Sequence, residues 1–196
     1  MKQITQPISK RQRILEVAEA LLRDQGYLGV SMEQVARGAG LKKAGLYHHF
    51  PKGKEEMMLD IAEQVLARDE IGFSTAVGTN SGVQAQLTAI ARWVFTEQHH
   101  TQRMLRDALR FMSQDHQDQL FRHFQDRLFA QVKAVFEAGI QSGELRILDT
   151  QFATWAFMGL VSEFATITQW QTFDALPEKV IELLGYGIYS QEVKMP

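Results

Sequence analysis

Apolar residues recur along this chain with the period of a helix almost from end to end. Ile14, Val17, Ala18, Leu21 and Leu22 stand at i, i+3, i+4, i+7 and i+8, one face of a first helix that Gly26 can end. Ser31 offers a side-chain acceptor to a free N–H of a first turn, which predicts the N-cap of a second, short helix. A third is expected over residues 42–49, stopped because Pro51 disfavours helical geometry at Phe50. Met58, Ile61, Ala62, Val65 and Leu66 carry a fourth from Lys54 to about Thr75, ahead of the turn-forming run GTNSG at 78–82.

Leu87, Ile90, Ala91 and Val94 predict a fifth helix, and Met104, Leu105, Ala108, Leu109 and Met112 a sixth. Asp115 is expected to cap a long seventh helix through Phe121, Phe124, Leu128, Val132, Val135 and Phe136, closed by Gly143. Asp149 caps an eighth from 150 to about 170, and Pro177 suits the first turn of a ninth that ends near Tyr189. No segment alternates with period two between hairpin turns, no repeat or low-complexity tract is visible, and the last residues, SQEVKMP, read as frayed. The expectation is an all-α protein of about nine helices.

Composition narrows the chemistry. With 45% apolar residues in 196, a core needs no staples, and the absence of cysteine excludes a disulfide framework, a thiolate zinc site and a cysteine nucleophile. The opening MKQITQPISK lacks the apolar centre of a signal peptide, and the most apolar run, 152–161, is too short to span a bilayer. A soluble cytoplasmic protein is expected. Charge changes the picture more: residues 1–54 hold ten Lys and Arg against four Asp and Glu, net +6, whereas 55–196 hold eleven against nineteen, net -8. A basic head on an acidic body points to a polyanion-binding part joined to a part with another task.

Within the head, Ala36 suits a close helix crossing, Gly40 a turn with positive φ, and Val35, Leu41 and Leu46 the contacts between the two helices. A small residue, a glycine four positions on and a leucine six beyond that form the helix-turn-helix arrangement, whose second helix is built to enter a DNA major groove. Residues 11–66 resemble the N-terminal domain of the TetR family of transcriptional regulators, above all in GYLGVSMEQVARGAGLKKAGLYHHFPKGKEEM, where Leu-Tyr-His-His-Phe-Pro followed by lysine is the most specific part. Two departures stand out: Gly45 occupies a position often held by Ser, Thr or Ala, and Lys52-Gly53-Lys54 is one residue longer than the common Pro-Ser-Lys form.

Lys42 and Lys43 open the recognition helix, where an ammonium reaches guanine O6/N7 or adjacent phosphate, and Lys43 is the preferred base reader. Tyr47 and His48 match the family pair that donates to phosphates, with His49 turned inward beside Phe50. Lys54, at the start of the fourth helix, offers its ammonium and free N–H groups to a phosphate, Ser31 serves as both cap and phosphate donor, and Lys10, Arg11 and Arg13 form a basic arm. Gly45 completes the DNA-binding set.

The body shows no HExxH, no glycine-rich phosphate loop and no GxSxG; His99-His100 and His116 with His123 are not spaced to chelate, so no metal, cofactor or catalytic residue is assigned. Its aromatics and methionines exceed one core stripe. By resemblance, Trp93, Met104, Phe111, Phe124, Leu128 and Phe157 would line an effector cavity, the alternative being plain core. The eighth helix is apolar on nearly every side and the ninth carries close-approach glycines, so by resemblance Phe152, Trp155, Gly159, Val180, Leu184 and Gly187 are expected in a four-helix dimer interface, the alternative being a monomer with both helices buried internally. The expectation is a DNA-binding domain at 1–53 and an effector and dimerisation domain at 54–196. They would form a non-enzymatic, homodimeric repressor released from a pseudo-palindromic operator by an apolar or aromatic effector. The alternative is an activator or regulator controlled by a protein partner.

Overall fold

The structure, a computed structural model, describes residues 9–97, 109–166 and 175–186. All regular elements among the described residues are helical: α1 Lys10–Gly29, α2 Met32–Gly38, α3 Lys43–His49, α4 Lys54–Thr79, α5 Val83–Glu97, α6 Gln114–Phe124, one π-helical turn Gln125–Phe129, α7 Ala130–Ser142, α8 Thr150–Thr166 and α9 Leu176–Tyr186. The chain forms two compact units, residues 1–65 with 103–121 and residues 66–102 with 122–196. The domain boundary expected after residue 53 falls at the start of α4, whereas the units part inside that helix, after Val65.

In the first unit, α1 begins at a Ser9 cap whose side chain accepts from Gln12 N–H. Gly26 interrupts it as its sequence position suggests, at φ 70° and ψ 170°, yet helix resumes as far as Gly29. Ser31 and Gln34 close the N-terminus of α2 as a capping box, each side chain bonded to the other's backbone N–H. Gly40, at φ 68°, makes the turn before α3, and Leu41 N–H returns to Ala36 O at 2.8 Å. Ile14, Leu15, Leu22, Val35, Leu46 and Phe50 are all at most 3% exposed and form the core with Met57, Met58 and Ile61 of α4. Ala36 is buried at 2% exposure, and α1 and α2 also approach closely at Gly38, where a Cβ would stand 2.6 Å from Val17 Cγ1.

The second unit packs α5, α7, α8 and α9 with the later part of α4 around Phe73, Leu87, Ile90, Leu128, Val132, Phe157 and Val161. Here α4 continues past Thr75 to Thr79, because Ala76 and Val77 still have core to pack against, and Asn80 Nδ2 closes its end on Ala76 O. The turn is accordingly shorter than GTNSG. Glu144 Oε2 accepts from Val83 N–H at 2.9 Å and caps α5 from the segment after α7. The expected long seventh helix runs without a break from Gln114 to Ser142, is labelled α6 and α7 on either side of the π-turn inside it, and ends at Gly143 with φ 79°. The expected sixth helix falls mostly outside the described residues, as do the last turns foreseen for the eighth and ninth.

Candidate nucleic-acid interface and effector region

α3 is short, and what it buries decides what it shows. Leu46 and Phe50 are fully buried, which turns Lys42, Lys43, Ala44, Tyr47 and His48 outward, with His49 half-buried. The exposed row thus holds two ammonium groups, a phenol and an imidazole on one small helix: donors suited to phosphate oxygens and to the acceptor edge of a guanine. Gly45 sits among them with nothing within 4 Å of where a Cβ would lie, so a bare stretch of backbone is presented there.

Three predicted contact residues are already occupied. Lys54 Nζ donates to Tyr27 O at 2.7 Å and Val30 O at 2.9 Å and lies 4.1 Å from the Tyr27 ring centre, so its ammonium ties off the end of α1, with a pKa lowered by burial. Ser31 Oγ gives its proton to Gln34 Oε1 at 2.8 Å while accepting from Gln34 N–H, which leaves no hydroxyl donor for a phosphate in this arrangement. Arg11 stacks over Phe50 at 4.5 Å and pairs with Glu56 and Asp60, so it braces α1 on α4. Lys10 is exposed.

The second unit gathers four of the predicted effector residues. Leu128 and Phe157 lie in its core, at 3% and 0% exposure, with Trp93 and Phe124 packed against it. Trp155 lies between Phe124, at 6.2 Å, and Phe129, at 4.8 Å between ring centres. Trp93 Nε1 donates to the buried carboxylate of Asp69 at 3.0 Å, and its ring lies flat against Gly72. Phe111 is elsewhere: it belongs to the first unit and stacks on Tyr27 at 5.6 Å with a 2° interplanar angle. Met104 and Gly187 lie outside the described residues. A separate surface groove of ≈ 500 Å³ runs along α5, lined by polar residues such as Asn80, Gln84, Arg92 and Glu144, and contains none of the predicted effector residues.

Of the predicted interface residues, Phe152 is 73% and Trp155 39% exposed, and Gly159 continues the same face of α8. Val180 does not join them; at 2% exposure it fills the unit's own core, and Leu183 with Leu184 supplies the exposed apolar side of α9. Among the described residues no three His, Cys, Asp or Glu side chains gather as a metal site, and no helix is long and apolar enough to cross a membrane.

Residues 14–61 match the family described as bacterial regulatory proteins, tetR family, and residues 83–180 match the AefR-like transcriptional repressor C-terminal domain. The chain belongs to the TetR family. A KstR2 repressor of Mycobacterium tuberculosis is 31% identical over 147 residues, 70% of each chain. LmrA of Bacillus subtilis is 36% identical over 55 residues, only 29% of its own length. Among solved structures, FadR from Bacillus subtilis in complex with stearoyl-CoA superposes with a TM-score of 0.79 at 21% identity, covering 90% of this chain and 98% of that one. AibR in complex with isovaleryl coenzyme A and operator DNA gives 0.72 at 21%, covering 91% and 97%. This TetR-family regulator also carries polar contacts that the sequence does not advertise: Glu55, Ser113 and His116 meet in the first unit across some sixty residues of chain, and no local spacing marks them.

Proposed function

We propose that this TetR-family regulator is a homodimeric repressor that acts in the cytoplasm and leaves a pseudo-palindromic operator when a small apolar or aromatic effector binds. The observation that carries the reading is the division of α3, with Leu46 and Phe50 locked inward and Lys43, Tyr47 and His48 free on the opposite side. Lys43 reads base edges, Lys42, Tyr47 and His48 hold phosphates, and the backbone at Lys54 adds a helix-start contact. Two such heads enter major grooves about 34 Å apart or a multiple of that. The dimer face is Phe152, Trp155 and Gly159 of α8 with Leu184 of α9, whose exposure in the single chain supports a covering partner.

The effector region is the aromatic shell of Trp93 and Phe124 around Leu128 and Phe157. Acyl-CoA complexes of two neighbours of the same fold, FadR and AibR, make acyl thioesters of coenzyme A the first effectors to test. A coupling of about 1–3 kcal/mol between the sites changes operator affinity about 5- to 150-fold, enough for induction. The test is binding of the purified protein to its own upstream DNA over a salt series, followed by titration with short- and long-chain acyl-CoAs. A specific site with a slope of roughly -0.9 per neutralised phosphate supports the reading. Sequence-blind binding overturns the operator assignment, and a specific site indifferent to every such effector points to control by a protein partner.

A further inference from the structure

Ser113, His116 and Glu55 form a cluster that docking on DNA, as described above, does not use. Glu55 stands in the first turn of α4, one residue after Lys54, and its Oε1 accepts from Ser113 N–H at 2.6 Å and from His116 Nδ1 at 2.7 Å. Ser113 directly precedes α6, so its N–H belongs to the unpaired donors of a helix start, and Glu55 satisfies it from another element. Ser113 Oγ lies 3.1 Å from the same Nδ1. The Ser113 hydroxyl and N–H, and then His116, hold the Glu55 carboxyl down to about 2. An ionised carboxylate only accepts, so Nδ1 carries a hydrogen in this contact; a second proton, on Nε2, converts the bond to an ion pair without moving either group.

Charged and titratable groups from α1, α4 and α6 surround the pair. Glu55 faces His116 from α4, and Tyr27 of α1 faces Glu55, its phenol raised by burial and then by that carboxylate. The Lys54 ammonium is held over the Tyr27 ring and on α1 carbonyls. On α6 itself Asp115 and Asp118 are exposed, Asp118 accepting from Gln114, and Gln119 reaches Glu63 of α4 at 3.4 Å. Phe111, just upstream, stacks on Tyr27, so the segment leading into α6 is fastened to both α1 and α4.

We propose that Glu55 and His116 are positioning residues for operator binding: a clasp, tightened when His116 is protonated, that fixes the first turn of α4 and thereby the recognition helix. The inference rests on α3 being the operator-reading helix. Transmission is short, because only residues 50–53 separate α3 from α4, and that link is pinned by Gly53 N–H on Phe50 O at 3.0 Å and Lys52 N–H on Glu56 at 2.9 Å. Histidine ordinarily changes charge between about pH 5 and 8, so operator affinity rises as pH falls through that interval.

The experiment is fluorescence anisotropy of the full-length protein on its upstream DNA, at fixed ionic strength, from about pH 8 to about pH 5.5. Wild type is compared with His116→Asn, whose amide can replace Nδ1–H without titrating, with Glu55→Gln, and with the double variant. The comparison removes any pH dependence that all four proteins share. Each single variant is expected to lose roughly a two- to fivefold low-pH gain, the range of a partly exposed ion pair, and the double variant to lose no more than either. If Glu55→Gln fails to fold, as a thermal melt would show, His116→Asn decides alone. A specific site whose pH profile is the same in wild type and variants overturns the clasp; absence of a specific site at every pH overturns the operator reading and the clasp with it.

Discussion

Substituting Gly72 by alanine tests how the second unit seats Trp93. A Cβ at Gly72 would fall well inside van der Waals contact of three atoms of the Trp93 ring, and a flat indole cannot yield as a flexible side chain does. Overpacking of this kind costs about 1–3 kcal/mol. If the indole retreats, its bond to Asp69 Oδ1 lengthens from 3.0 Å, and loss of a donor to a buried carboxylate adds about 1–3 kcal/mol. Alanine gains back about 1 kcal/mol over glycine inside α4. The net cost centres on about 3 kcal/mol, or roughly 6–12 °C in Tm for a chain of this length. Thermal melts in wild-type and Trp93→Phe backgrounds provide the assay, since the smaller ring lacks part of the clashing edge. A Gly72→Ala protein that melts at or above wild type, or that loses as much in the Trp93→Phe background, refutes the close-approach argument.

Gly45→Ala should behave oppositely, raising stability by about 0.5–1 kcal/mol in the same melts, because no atom lies near its Cβ. Lys43→Ala should alter base preference in a selection from randomised operators, whereas Tyr47→Phe should weaken all sites alike, by about 1 kcal/mol for one hydroxyl donor. Leu184→Glu combined with Trp155→Glu should elute as a monomer in gel filtration and bind single half-sites only. Glu55, usually near 4.5 and held at about 2, contributes stability that is complete above pH 4.5 and is lost as pH falls toward 2. The stability difference between wild type and Glu55→Gln should therefore shrink over that window in denaturant titrations.

Local chemistry made the head legible. Ser31 with Gln34, Gly40 and Pro51 each act within a few residues, so α2 and α3 lie where caps and breakers place them, and the buried and exposed sides of α3 follow from its period. What stayed hidden joins distant segments. The Lys54 ammonium looks free for phosphate until α1 brings the Tyr27 and Val30 carbonyls to it. Phe111 and Trp93 are alike as aromatics on helical stripes, and only packing assigns them to different units. Val180 follows the same apolar pattern as Leu184 but turns inward, and the π-turn adds a residue that a four-residue repeat absorbs without trace.

The first unit is written in two stretches of chain, residues 1–65 and 103–121. A ribosome elongating at roughly 5–20 residues per second needs roughly 3–10 s to go from Val65 to His116. For a delay of that order, the emerged head carries Lys43, Tyr47 and His48 while Glu55 waits for Ser113 and His116 to emerge in their turn. A chain ended by premature termination before Ser113 thus carries every exposed side chain of α3 without the groups that close the start of α4. Synthesis itself therefore reserves the finished geometry of the head for chains that have gone well beyond it.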